Sequence, residues 1–170
     1  MSTAVNTQAQ ARGRVVILGI YVTDLTFRAE RMPLIGETIA AHIFVDETSG
    51  MNAIIVAAGA AGTMNAADVD AIEADIAGAR VFVTQLEQPL AAAKRGLEVA
   101  RKHGVTTVFN PAPAMQLPDD IFPLCDYITP NETETAALTG VTVNTVDDAR
   151  RAADVLLKKG VGTVIVTLGE

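Results

Sequence analysis

The run Ile128-Thr129-Pro130-Asn131-Glu132-Thr133-Glu134 places an amide and a carboxylate three residues apart, where an apolar stretch breaks at a proline. On the first turn of a helix, side chains at that spacing share one face. A helix N-terminus concentrates free N–H groups and partial positive charge, which suits phosphate. Asn131 and Glu134 could there help to hold a magnesium–phosphate group. The same Asn-x-x-Glu spacing is also a capping box, which satisfies backbone donors at a helix start. Pattern alone favours the cap, so position along the chain must decide.

Other residues able to do chemistry fall at similar breaks. Asp24 follows the first apolar run, Glu87 precedes Pro89, Asn110 opens Asn110-Pro-Ala-Pro113, and Thr167-Leu168-Gly169 ends the last apolar run. Taken singly, each is a polar residue in a loop. Taken together, several strand ends carry a carboxylate or amide, the arrangement expected where open α/β sheets bind ligands. Cys125 is the only cysteine, so no intrachain disulfide forms. It stands at the entry to an apolar strand and reads as a buried structural thiol. His42 and His103, the only histidines, lack ligand spacing to each other or to Cys125, which argues against zinc.

The elements that must position these residues are marked by periodicity and punctuation. Arg14-Val-Val-Ile-Leu-Gly19 is a continuous β-branched run, expected as a buried strand. Tyr21 to Phe27 follows in extended form, and Glu37 to Ala41 is a further candidate strand. Ile43 to Val45 and Asn52 to Ala57 read as strands joined by the polar turn Asp46-Glu-Thr-Ser-Gly50. From Asn65 the pattern changes. Asn65 caps an expected helix to about Ile76, and Ala79 to Thr84 is a strand. Pro89 opens a helix that presents Leu90, Ala93, Leu97 and Ala100 inward and ends at Gly104. Val105 to Phe109 and Asp126 to Thr129 are strands. Asn131 to Thr139 is a helix closed by Gly140, and Thr145 caps another closed by Gly160. Gly162 to Leu168 is the last strand. Strands alternating with helices predict a Rossmann-like, doubly wound, mainly parallel α/β sheet. No internal repeat or low-complexity segment interrupts it.

Composition bounds the possibilities. The chain's 170 residues suffice for one domain with a core. Hydrophobic residues make up 49%, with a mean hydropathy of +0.30, which excludes disorder. Aromatics are only 4% and tryptophan is absent, against base-stacking platforms for nucleic acid. A net charge of −7 and pI near 4.8 offer no basic face for a phosphate backbone. Any anionic ligand must be held locally, by backbone N–H groups and metal. Residues 1–13 are polar and read as a flexible tail, not a signal peptide. The longest apolar stretch, Ala53 to Ala61, is too short to span a membrane. The single cysteine suits a reducing, cytoplasmic setting.

In family order, these motifs resemble the ribokinase branch of the phosphofructokinase-B-type carbohydrate kinases. Val15-Val-Ile-Leu-Gly19 with Asp24, then Pro33-x-x-Gly36-Glu37-Thr38, is similar to the family's opening strand, sugar-binding aspartate and lid strand. Gln85-Leu-Glu87-x-Pro89 is similar to its mid-chain strand end. Asn110-Pro-Ala-Pro-Ala114 with Leu117-Pro118, and Thr129-Pro-Asn-Glu-Thr-Glu134 with Leu138-Thr-Gly140, are its more specific motifs. Thr167-Leu-Gly169 resembles the start of its nucleotide loop. The resemblance implies ATP-dependent phosphorylation of ribose, giving ribose 5-phosphate, or of a similar sugar. It implies that Asp24 and Glu87 accept hydrogen bonds from sugar hydroxyls. It implies too that Asn131 contacts nucleotide phosphates, that Glu134 orders the water shell of Mg2+, and that Thr167 and Gly169 lie along the nucleotide. It also implies a small β lid, with elements about 21–27 and 34–45, a homodimer through lid strands, and a monovalent-cation (K+) requirement.

The chain departs from that pattern in three places. Val22 stands where ribokinases carry a sugar-binding asparagine. Thr38-Ile39 runs almost directly into Ile43, as though a segment bearing Gly-Gly-Lys-Gly were deleted near 40–43. No Gly-Ala-Gly-Asp stretch, which supplies the family's anion hole and catalytic base, occurs before Glu170; the K+ site lies there too. The expectation is a partial ribokinase-like domain over 14–170, inactive alone. The competing expectation is a non-catalytic sugar- or nucleotide-binding remnant. An unrelated Rossmann domain is disfavoured because no Gly-x-Gly-x-x-Gly follows the first strand.

Overall fold

A computed structural model describes residues 13–19 and 62–169 in full, and strands 24–27, 41–45 and 52–55 by backbone alone. The expected tail, Gly13 apart, lies outside the described residues, as do Val22 and the Glu37–Ala40 part of a candidate strand. In chain order the described strands are β1 (Val15–Leu18), β2 (Asp24–Phe27), β3 (Ala41–Val45), β4 (Asn52–Ile55), β5 (Val81–Thr84), β6 (Thr106–Phe109), β7 (Tyr127–Ile128) and β8 (Thr163–Val164). The helices are α1 (Ala66–Ala71), α2 (Glu73–Ala77), α3 (Leu90–Lys102), α4 (Glu132–Thr139) and α5 (Val146–Lys158).

The main sheet has the order β1-β5-β6-β7-β8, and every pairing in it is parallel. This is the parallel α/β architecture that alternating strands and helices predict. Among the described strands the order follows the chain, with no reversal. β2 pairs in parallel with β3, and β3 antiparallel with β4, in a separate three-stranded sheet. β3 covers the positions where a deletion was expected.

Register aligns the last residues of the main strands. Leu18 pairs with Thr84, Thr84 with Phe109, Phe109 with Ile128, and Ile128 with Val164. Leu18, Thr84, Phe109 and Ile128 in this row are all buried. The segments after it therefore leave the sheet at one level, and they carry the chemically interesting residues.

α3 covers β5 and β6, while α1 and α2 pack on α3. Its inward face holds Ala93, Leu97 and Ala100 as the periodicity predicts, together with Val99. At Gly96 helix and sheet approach closely: a Cβ there would lie 2.4 Å from Phe82 Cζ. Phe82, Leu97, Phe109, Ile121, Phe122, Ile128 and Leu156 form one core. β1 is different, since Val15 and Ile17 on its other side are exposed.

Two helical segments differ from expectation. The single helix expected from Asn65 to Ile76 is two short helices, because Ile72 N–H bonds to Val69 O at 3.1 Å and tightens the chain locally. Apolar spacing does not register such a break, since Val69, Ile72 and Ile76 still face one core. Asp119–Leu124 forms a 3-10 turn around Pro123 that buries Ile121 and Phe122. Its shortness gives no periodic signal.

Candidate functional site at the strand ends

β7 ends at Ile128, and Thr129 N–H continues its ladder to Phe109 O at 2.9 Å. Pro130 has no N–H to extend it, and Asn131 turns the chain into α4. The cap is reciprocal. Glu134 N–H donates to Asn131 Oδ1 at 2.8 Å, and Asn131 N–H donates to Glu134 Oε2 at 2.9 Å. Asn131 Nδ2 also donates to Glu134 Oε1 at 3.0 Å. Glu134 is buried, with 6% exposure, and its charge is met by these donors and the helix start. Gly140 closes α4 with φ of 74°, a left-handed position that suits glycine. The capping reading of Asn-x-x-Glu is thus correct, and the cap leaves a second Nδ2 proton uncommitted.

The segment after β8 folds over the same helix start. Ile165 N–H bonds to Ile128 O and Thr167 N–H to Pro130 O, each at 2.9 Å. Gly169 N–H donates to Glu132 Oε1 at 2.6 Å. The Glu132 carboxyl is held below its usual range by its own backbone N–H and then by that of Gly169. Asn131, Glu134, Thr167 and Gly169 are therefore brought together around the N-terminus of α4. Glu132 is the residue that sequence reasoning missed: its partner is 37 positions away, beyond any local spacing signal.

Glu87 follows β5. Asn110 N–H bonds to Thr84 O at 2.9 Å, and Leu86 N–H to Ala112 O at 2.8 Å, so the Gln85–Glu87 turn is fastened to the proline-rich loop. Gln85 Nε2 lies 3.5 Å from Glu87 Oε2. Asp24 is the first residue of β2, opposite Ala41; its side chain lies outside the described residues.

Among the described residues no cluster of three or more His, Cys, Asp or Glu converges on one point. Glu134 instead offers a carboxylate already fixed by protein donors, with lone pairs left for water. That suits Mg2+, which keeps several waters and takes few protein ligands. Cys125 is 2% exposed and its thiol meets Ile121 O at 3.4 Å. Burial, then Asp126, pushes the thiol pKa up to about 12, so it is no nucleophile. A cavity of about 450 Å3 lies at the opposite, amino-terminal ends of β6 to β8, lined by Arg101, Asp126 and Tyr127 among others. It contains none of the candidate residues. Among the described residues no helix is long and apolar enough to cross a membrane.

The chain is similar to known carbohydrate kinases. The chain is 44% identical over 121 residues to a ribokinase of Haemophilus influenzae, covering 71% of this chain and 40% of that protein. It is 37% identical over 146 residues to a deoxyribokinase of Salmonella typhi, covering 85% of this chain and 47% of that protein. It thus spans less than half the length of either relative. The structure of Arabidopsis thaliana ribokinase complexed with ribose and ATP superposes with a TM-score of 0.62 at 26% identity, over 76% of this chain and 42% of that one. The pfkB family carbohydrate kinase profile matches residues 33–170. The chain belongs to the pfkB family of carbohydrate kinases.

Proposed function

We propose that this chain carries the sugar- and nucleotide-facing strand ends of an ATP-dependent kinase that converts ribose, or a close relative, to its 5-phosphate. The observation that carries this reading is the cluster at the start of α4, where Asn131, Glu134, Thr167 and Gly169 meet. Asn131 Nδ2 donates its uncommitted proton to a phosphate oxygen, at the positive end of the helix. Glu134 orders water around Mg2+, with ATP supplying the inner ligands. Mg2+ neutralises charge that develops on the transferring phosphoryl group. Thr167 and Gly169 line the nucleotide, with Gly169 held by Glu132. Glu87 and Asp24 accept hydrogen bonds from sugar hydroxyls, for which two strong acceptor oxygens each are suited. The β2-β3-β4 sheet corresponds to a lid through which two copies pair, and the cytoplasm is the matching compartment.

Phosphoryl transfer also needs a base and an anion hole, and the Gly-Ala-Gly-Asp stretch that serves the family does not occur in these 170 residues. This favours a second reading, binding without transfer, for the chain by itself. ADP release with ribose and Mg·ATP distinguishes the two. No turnover by this chain is expected, with turnover once the family's missing stretches are supplied. Turnover by the 170-residue chain would contradict the requirement for that aspartate.

A further inference from the structure

Gln88 follows Glu87 directly and is 2% exposed, although a glutamine at that depth is unusual. Its Nε2 donates to Thr84 Oγ1 at 2.7 Å and to the Gln85 carbonyl oxygen at 2.9 Å. A main-chain carbonyl only accepts, so the amide nitrogen must face it and the orientation of the group is fixed. Oε1 of Gln88 is then buried with no partner, and so is Oε1 of Gln85. A buried amide with an unmet acceptor costs stability, and an apolar side chain of similar length would fill the space without that cost. What the amide achieves is geometric. It ties the last residue of β5 to the turn that bears Glu87, while Leu86 N–H and Ala112 O at 2.8 Å fasten the same turn from the other side.

Gln88 makes no contact of its own with the α4 cluster among the hydrogen bonds described, so its influence is local to the sugar-side strand end. We propose that Gln88 is a positioning residue whose buried amide holds the Gln85–Glu87 turn so that the Glu87 carboxylate meets a sugar hydroxyl. This rests on the sugar-binding reading of Glu87.

The test compares the unsubstituted chain with Gln88→Leu, which removes the donor, and Gln88→Glu, which keeps the size. Each is titrated with ribose and separately with Mg·ATP by calorimetry, and its melting temperature is measured. A displaced turn should weaken ribose binding about tenfold in both variants while Mg·ATP affinity stays within about twofold. In Gln88→Glu the loss should shrink in acid, relative to the unsubstituted chain, as the protonated carboxyl regains a donor. Ribose affinity unchanged in both variants overturns the proposal. A parallel loss of both affinities with a lower melting temperature also overturns it, making Gln88 a folding residue. Both of those results leave the sugar-site reading standing. Absence of ribose binding by the unsubstituted chain overturns that reading, and this proposal with it.

Discussion

At Asn131, the cap and the proposed phosphate contact use different atoms of one side chain. Oδ1 accepts the Glu134 N–H at 2.8 Å, whereas Nδ2 spends one proton on Glu134 Oε1 at 3.0 Å and keeps another. Serine is as good a cap as asparagine but has no amide donor. Asn131→Ser keeps the cap but removes the Nδ2 donor to the buried Glu134 carboxylate, so it should cost about 1–2 kcal/mol in chemical denaturation. It should weaken Mg·ATP about tenfold, the worth of one hydrogen bond to a charged group. A large stability loss with unchanged nucleotide affinity would make this residue a cap only. The motif was legible because its meaning is local: Asn, two residues, Glu. The Glu132–Gly169 contact and the burial of Gln88 were not legible, since both depend on segments that the fold, not the sequence spacing, brings together.

The elements were legible to the extent that their ends carry chemical punctuation. Asn65, Asn131 and Thr145 each form a reciprocal cap, as their spacing to Asp68, Glu134 and Asp148 predicts. Strand lengths were overestimated. β8 is Thr163–Val164 within an apolar run expected to pair as far as Leu168, because apolar character continues after ladder pairing becomes intermittent. Packing distance was not legible at all. Gly96 sits in the middle of a helix, where glycine is costly. The structure supplies the reason, a 2.4 Å approach between its Cβ position and the fully buried Phe82 ring. Gly96→Ala gains helix propensity but forces α3 off β5. The expected net result is destabilisation of about 1–3 kcal/mol, from overpacking. A denaturant midpoint at or above that of the unsubstituted chain would show that α3 can shift without cost.

For the whole molecule, acidity and architecture set the terms of binding. A chain with net charge −7 must concentrate any anion-binding power locally, and the start of α4 is the place proposed for it. The buried row Leu18-Thr84-Phe109-Ile128 delivers Gln85, Asn110 and Thr129 to one edge of the sheet, so the candidate segments after β5 and β7 leave it together. The order of strands and motifs along the chain anticipated this common edge. The central claim is that these strand ends form two adjacent half-sites, one for sugar and one for magnesium nucleotide. Calorimetric titration of the 170-residue chain with ribose and with a non-hydrolysable Mg·ATP analogue tests it most directly. Saturable binding of both is predicted, with ribose affinity lost in Glu87→Gln and nucleotide affinity lost in Glu134→Gln. Binding of neither ligand by the folded chain, or loss of both affinities from either single substitution, would contradict it.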